Sequence, residues 1–306
     1  MDEPQAYLNG QFIPASAAAV SVTDVGFTLG ATVAEQLRTF AGKLFRLDDH
    51  LNRLGQSLEI VGVAPGIGRE DLADIARELV ARNYRLLAPG DDLGLSMFVT
   101  PGQSPANTSP GPAEPTVCLH TYLLPFGLWA EKYRVGQALV TTGVEQVSAK
   151  SWPPSLKCRS RMHYFLADRR AAAIEPGARA LLLDREGLVT EASTANLMIF
   201  TRDDGLVTPP HEKVLRGISM AQVEELAGKL GIPTGQRDLT PADVGSAGEV
   251  LLTSTPMCLL PVTRLDGRPI GDGRPGEVFG RLLGAWNEAV GIDIVAQARR
   301  FASRAV

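Results

Sequence analysis

Along this chain the apolar positions switch between a rhythm of two and a rhythm of three to four, and each switch marks an element. Near the start, Tyr7-Leu8 and Phe12-Ile13 flank Asn9-Gly10. That dipeptide accepts the positive φ values of a type I′ turn, so the stretch predicts a hairpin. Residues 33–40 meet Leu44-Phe45-Arg46 across Ala41-Gly42-Lys43 as a second hairpin. Leu51, Leu54, Leu58 and Val61 then recur at helical spacing, with Asp48 or Asp49 placed to cap. A second helix is predicted over 69–86, and a strand over 93–100. Residues 101–115 are rich in Gly, Pro and Ser and read as a loop. The strand-like 116–124 follows.

The second part begins with a strand over 137–142 and an irregular stretch through Pro153-Pro154. A helix is predicted over 159–174, stopped by Pro176-Gly177. Buried strands are predicted at 180–183 and 196–200. A helix over 218–230 ends at Gly231 and Pro233. Residues 249–255 are strand-like, 281–289 helical, and the basic tail after Asp293 weakly helical. Strands and helices mix without the regular βαβ alternation of a doubly wound sheet, which indicates an α+β fold. The stretch 125–131 would join an N-terminal α+β domain, 1–125, to a C-terminal domain, 126–306.

Composition narrows the class. At 306 residues the chain is long enough for two cored domains, and 44% hydrophobic with 21% charged residues is ordinary for a globular protein. A formal charge of −4 gives no broad basic field, which argues against a nucleic-acid partner. No apolar run is long enough for a membrane span. The opening Met1-Asp2-Glu3-Pro4 lacks the basic and apolar parts of a signal peptide. Cys118, Cys158 and Cys258 are odd in number and form no CxxC pair. Reduced thiols in the cytoplasm, and no metal site, are the expectation.

Chemistry starts with the lysines, because only six of the 30 basic side chains are lysine. A desolvated lysine loses its proton and forms a Schiff base, which arginine does not do. Lys157 sits in Ser155-Leu156-Lys157-Cys158-Arg159, just after two prolines. Taken alone it reads equally as a solvated lysine at a helix start. In Thr190-Glu191-Ala192-Ser193-Thr194-Ala195-Asn196, Glu191 ends a strand among small residues. A carboxylate there suits a protonated ring nitrogen, and Asn196 would orient its neighbours. The plain alternative is a polar turn. Leu215-Arg216-Gly217-Ile218-Ser219 opens a helix, and its first-turn amides with the Ser219 hydroxyl suit a phosphate; an ordinary helix entry is the alternative. Thr253-Ser254-Thr255 would add hydroxyl donors, and Arg53 a planar fork unless it lies on a solvated helix face.

In this order the segments resemble the class IV aminotransferases, the pyridoxal-5′-phosphate (PLP) enzymes of fold type IV. That family includes branched-chain and D-amino-acid transaminases and aminodeoxychorismate lyases. The resemblance covers residues 7–283. It rests on Leu8-Asn9-Gly10, Asp24-Val25-Gly26 with Gly30, Glu35 with Arg38, residues 50–54, Lys157, Thr190-Glu191 with Asn196, Leu215 to Ser219, and Thr255. The 34 positions between Lys157 and Glu191 fit the family better than the 41 from Lys150. The resemblance implies a D-amino-acid aminotransferase-like fold, a homodimer, and a cofactor-binding second domain. Lys157 would carry PLP and shuttle the substrate proton. Glu191 would pair with the pyridine nitrogen. Arg53, the Ile218 and Ser219 amides, the Ser219 hydroxyl and Thr255 would hold the phosphate, and Leu215 would pack on the ring.

The chain also departs from the family pattern. Met162 stands where some members have a tyrosine near the cofactor, which leaves Tyr164 and Tyr122 as candidates. Ala34 replaces a common aromatic residue, and Leu95-Ser96-Met97-Phe98 lacks an arginine that many branched-chain enzymes carry. Arg38, Tyr122, Arg159, Arg161 and Tyr164 are therefore the candidate substrate-binding residues. Arg159 and Arg161 read equally as solvated arginines. The implied reaction moves an amino group between an amino acid, branched-chain as the first expectation, and a 2-oxo acid. The alternatives are a PLP lyase of the aminodeoxychorismate type, a D-amino-acid or amine transaminase, and, more remotely, a non-catalytic binding protein.

Overall fold

The computed structural model describes residues 3–104 and 114–304, which fall into two compact units. One comprises Met1–Leu124 with Leu156–Ser160, the other Pro125–Ser155 with Arg161–Val306. Helices and strands are mixed in both, as an α+β fold requires. Most of the loop expected over 101–115 lies outside the described residues.

In the first unit, β1 (Gln5–Leu8) and β2 (Gln11–Pro14) form the hairpin expected at Asn9-Gly10. Both turn residues have positive φ, 45° and 93°, as a type I′ turn demands. A short α1 (Val25–Thr28) is capped by Asp24. Then come β3 (Val33–Phe40), β4 (Lys43–Leu44), α2 (Leu47–Val61), α3 (Arg69–Tyr84), β5 (Leu93–Thr100) and β6 (Thr116–Leu123). The sheet order is β2-β1-β6-β5-β3-β4. Strand alternation sorts its residues by face. Leu37, Leu95, Met97 and Leu119 join Leu51, Leu54 and Leu58 of α2 and Leu72, Ala76 and Leu79 of α3 in one buried core. Ala34, Ser96, Phe98, His120 and Tyr122 occupy the alternate positions of the same strands.

Two local expectations are corrected. Asp48 and Asp49 lie inside the first turn of α2, and the capping position is Arg46 in the left-handed region. There the carboxylates favour the helix dipole instead of closing the helix end. The helix expected from residue 159 begins only at Met162, because the backbone around Cys158 is bridged to the start of β3 instead. Cys158 makes an antiparallel bridge with Val33, the Lys157 carbonyl accepts from the Ala34 amide, and the Arg159 amide donates to the Thr32 carbonyl. The segment is thus tied by a single bridge to the free edge at the start of β3.

The second unit holds α4 (Lys132–Val135), β7 (Gln137–Glu145), α5 (Met162–Ile174), β8 (Arg179–Leu183), β9 (Val189–Ala192), β10 (Asn196–Thr201) and β11 (Gly205–Thr208). It continues with α6 (Ile218–Lys229), β12 (Thr234–Gln236), α7 (Pro241–Ser246), β13 (Glu249–Ser254), β14 (Cys258–Leu265), β15 (Arg268–Pro269), α8 (Glu277–Val290) and α9 (Ile294–Arg300). Its sheet runs β12-β11-β10-β13-β14-β7-β8-β9, with β15 on β14. β7 pairs in parallel with both β14 and β8. Helix α5 lays Ala167 and Ala171 on Ala138, Val140, Ala180 and Leu182, and α6 packs on α8 and β13. Among the described residues, no helix is long and apolar enough to cross a membrane, and no cluster of His, Cys, Asp or Glu is arranged to hold a metal ion.

Candidate active site

The functional residues of the first unit hang on β3, α2 and the bridged segment around Cys158. Lys157 is fixed at both ends of its peptide: its N–H donates to the Ser57 hydroxyl of α2 at 3.2 Å, and its carbonyl accepts from Ala34. On the helix-covered face, Glu35 is fully buried and takes a two-pronged ion pair from Arg53, Nε at 2.7 Å and Nη2 at 2.8 Å. His50 Nδ1 lies 2.7 Å from the same carboxylate. Burial alone would push the Glu35 carboxyl up, but Arg53 and then His50 pull it well below the usual carboxylate range. Burial lowers His50, against the pull of Glu35, and the charges of Arg53 and Lys157 lower it further. The histidine is therefore neutral. Arg53 is buried, which rules out a solvated helix face, and Glu35 fixes the plane of its fork.

Other expected residues of this unit divide. Arg38 is wholly buried, with its guanidinium 4.1 Å from the Phe40 ring centre and its Nε donating to the Thr39 carbonyl. Tyr122 lies across Gly94, where an added Cβ would meet its ring at 2.1 Å. Arg159 reaches the Ser96 hydroxyl at 2.5 Å.

In the second unit Glu191, on β9, is buried and its Oε1 accepts from the Tyr164 hydroxyl at 2.5 Å and from Gln146 Nε2 at 2.6 Å. Burial, then the Glu191 charge, raises the Tyr164 hydroxyl above its ordinary range, so it stays a donor. Tyr164, a candidate for contact with substrate or cofactor, thus orients the carboxylate. Asn196, the first residue of β10, donates to the Leu215 carbonyl at 2.7 Å. That bond pins the loop before α6. Gly217 caps α6 without a side-chain acceptor, and a Cβ there would fall 2.0 Å from the Asn196 Oδ1. Ser219 is buried in the first turn, and its hydroxyl has no hydrogen-bond partner among the described residues. The buried Thr253 hydroxyl, opposite Asn196 in the β10–β13 register, has none either. Ile218 and Thr255 are half-buried, as is Arg161 just ahead of α5.

Sequence reading missed Gln146, Ser57 and Ser96. Gln146 comes from a stretch with no periodic signal, and the two serines act through pairings that join distant segments. Thr253 was passed over for Thr255 within one hydroxyl-rich run.

The sequence profile of the amino-transferase class IV family matches residues 32–265. The chain belongs to the class IV aminotransferases. Among related proteins, the D-alanine aminotransferase of Bacillus licheniformis is 29% identical over 268 residues, 88% of this chain and 90% of that one. A T.th. branched-chain amino acid aminotransferase with pyridoxamine 5′-phosphate superposes with a TM-score of 0.83 at 28% identity, over 98% of this chain and 97% of that one. The same enzyme complexed with N-(5′-phosphopyridoxyl)-L-glutamate gives 0.84 at 27%, over 97% and 96%. Class IV aminotransferases are PLP-dependent, and this chain is a PLP-dependent transferase with their fold. Its residues fit the cofactor. An uncapped helix start with a buried, unpartnered hydroxyl and a glycine too close to Asn196 for any side chain is suited to a phosphate.

Proposed function

We propose that the chain moves an amino group between an amino acid and a 2-oxo acid, as a cytoplasmic homodimer, with Lys157 as its catalytic residue. The observation that carries the cofactor assignment is the Ser219 hydroxyl, buried at the start of α6 with no partner among the described residues. The Ile218 and Ser219 amides, that hydroxyl, Arg53 and Thr255 hold the phosphate, and Leu215, tied by Asn196, packs on the ring. When bound, PLP supplies an aldehyde that links to amines and a ring that draws electrons from the adjacent carbon. Lys157 Nζ would hold the cofactor and, once the incoming amine has displaced it, would be free to take the Cα proton of the amino acid and redeliver it. Glu191, oriented by Tyr164 and Gln146, keeps the pyridine nitrogen protonated. Tyr122, Arg159 and Arg161 supply the polar contacts to the substrate.

Branched-chain amino acids are the first substrate reading, supported by the whole-length likeness to the T.th. enzyme. The Bacillus licheniformis relative supports a second, D-alanine. An absorption spectrum of the PLP-loaded protein tests both. A visible band that leucine or isoleucine discharges supports the first, and one that only D-alanine discharges supports the second. A band discharged by no amino acid, or pyruvate formed from aminodeoxychorismate without an amino acceptor, overturns transamination. Absence of any band overturns the cofactor assignment.

A further inference from the structure

Between Glu191 and Asn196 the chain reverses direction in two residues. Ala192 and Ala195 exchange both backbone hydrogen bonds, at 3.0 and 3.1 Å, so Ser193-Thr194 is the whole turn. Thr194 takes a φ of 60°. Where the second central residue of a turn has positive φ, glycine or asparagine ordinarily stands there. Threonine is a poor choice, because its branched Cβ crowds the backbone in the left-handed region. The conformation needs a restraint from outside the turn.

That restraint comes from β8 and α5. Arg179, the first residue of β8, donates through Nη2 to the Ser193 carbonyl and to Thr194 Oγ1, the latter at 2.9 Å. Its Nη1 lies 3.7 Å from Met257 Sδ. Ser193 is fastened further. Its amide donates to the Ala180 carbonyl at 3.2 Å and its hydroxyl to Asp168 Oδ1 of α5 at 2.5 Å. The same carboxylate oxygen accepts from the Ala180 amide at 3.0 Å, which ties α5, β8 and the turn together. Burial lowers the Arg179 guanidinium and the charge of Asp168 opposes it, so the arginine keeps its charge. One guanidinium nitrogen thus holds both turn residues. Immediately before the turn, Glu191 is oriented by Tyr164 and Gln146; immediately after it, Asn196 holds the Leu215 carbonyl ahead of α6. A drift of the turn changes the placement of both.

We propose that Arg179 is a positioning residue: it holds Thr194 in a backbone conformation that threonine disfavours, and so sets where the Glu191 carboxylate stands relative to the loop anchored by Asn196. The proposal rests on the aminotransferase reading, in which Glu191 faces the pyridine nitrogen of PLP. Arg179 itself touches neither substrate nor cofactor, and acts through the turn.

The test is a spectrophotometric pH titration of the visible PLP band in the loaded protein, with melting temperatures of the apo-protein alongside. With Glu191 displaced, the ring nitrogen gives up its proton more readily and the ring draws fewer electrons. The Lys157 nitrogen bonded to the cofactor then keeps its proton to higher pH. Arg179→Met should raise the midpoint by about 0.5–1 unit, the size of one weakened charge-assisted hydrogen bond. Glycine accepts a positive φ without help, and Thr194 is exposed, so Thr194→Gly leaves the midpoint in place and makes Arg179 dispensable. In the double variant Arg179→Met/Thr194→Gly the midpoint should return to that of the unmodified protein, which a merely structural arginine would not allow. A midpoint that Arg179→Met leaves unmoved, whatever its melting temperature, overturns the proposal. So does a double variant no nearer the unmodified protein than Arg179→Met. If Arg179→Met alone does not fold, the double variant decides: an unmoved midpoint supports the proposal, and a moved midpoint or failure to fold overturns it. Glu191→Gln should raise the midpoint further than Arg179→Met; if it does not move it, the Glu191 assignment falls instead, and absence of any band in the unmodified protein strikes the aminotransferase reading.

Discussion

The two units treat their buried polar groups in opposite ways. In the first, the Glu35 carboxylate is satisfied by a guanidinium fork and an imidazole on the covered face of a sheet, and only the far ring nitrogen of that imidazole, His50 Nε2, goes without a partner among the described residues. In the second, the hydroxyls of Ser219 and Thr253 are equally buried and have no partner among the described residues. A buried, unsatisfied hydroxyl costs stability, and natural proteins tolerate few of them. The first arrangement places a fork and a lysine; the second leaves hydrogen-bonding capacity for something that arrives later.

The largest effect comes from breaking the satisfied cluster. Glu35→Gln strands the Arg53 charge in the interior, and the unfolding free energy should fall by about 3–5 kcal/mol in denaturant titration. Gly217→Ala comes next. Its Cβ would displace Asn196, and overpacking of this kind costs about 1–3 kcal/mol. It should show both in the melting temperature and as weakened PLP binding. Ser219→Ala sharpens the contrast. Apo-protein stability should hold or rise slightly, while affinity for PLP, followed by absorbance titration, falls by about 10-fold. If Ser219→Ala instead destabilised the apo-protein as much as Glu35→Gln, the two regions would not differ as described.

The smallest effect is a slope. His50 has a folded pKa below its ordinary 6.5, so the unfolded chain takes up the proton first. Its contribution to stability is complete above about pH 6.5 and is lost as the pH falls toward the folded value. The melting temperature of His50→Asn should therefore decline less steeply between pH 7 and pH 5 than that of the unmodified protein.

What the sequence disclosed follows the range over which each signal acts. Asn9-Gly10 announced its turn because the turn chemistry is carried by those two residues. The strand over 93–100 and the helix ending near 230 were legible from periodicity and flanking breakers. The helix expected from residue 159 starts later because Cys158 is bridged to the edge of β3, a partner distant in the chain. Glu191 was legible as a carboxylate at a strand end. Its orientation by Gln146 and Tyr164 was not, since that depends on β7, α5 and β9 coming together. Arg38 and Arg53 looked alike in sequence, and only the sheet and helix faces decide that one stacks on Phe40 and the other grips Glu35.

The bridge at Cys158 bears on how the chain acquires its form. One hundred positions separate Lys157 from Ser57, and the intervening stretch includes residues that belong to the other unit. Closing so long a loop raises contact order and delays that part of the structure. A fragment ending at Leu124 would keep its helices and most of its sheet, but would leave the start of β3 as a bare edge open to pairing with other chains. Until residue 160 is laid down that edge stays unpaired, and the stretch that closes it also delivers the lysine.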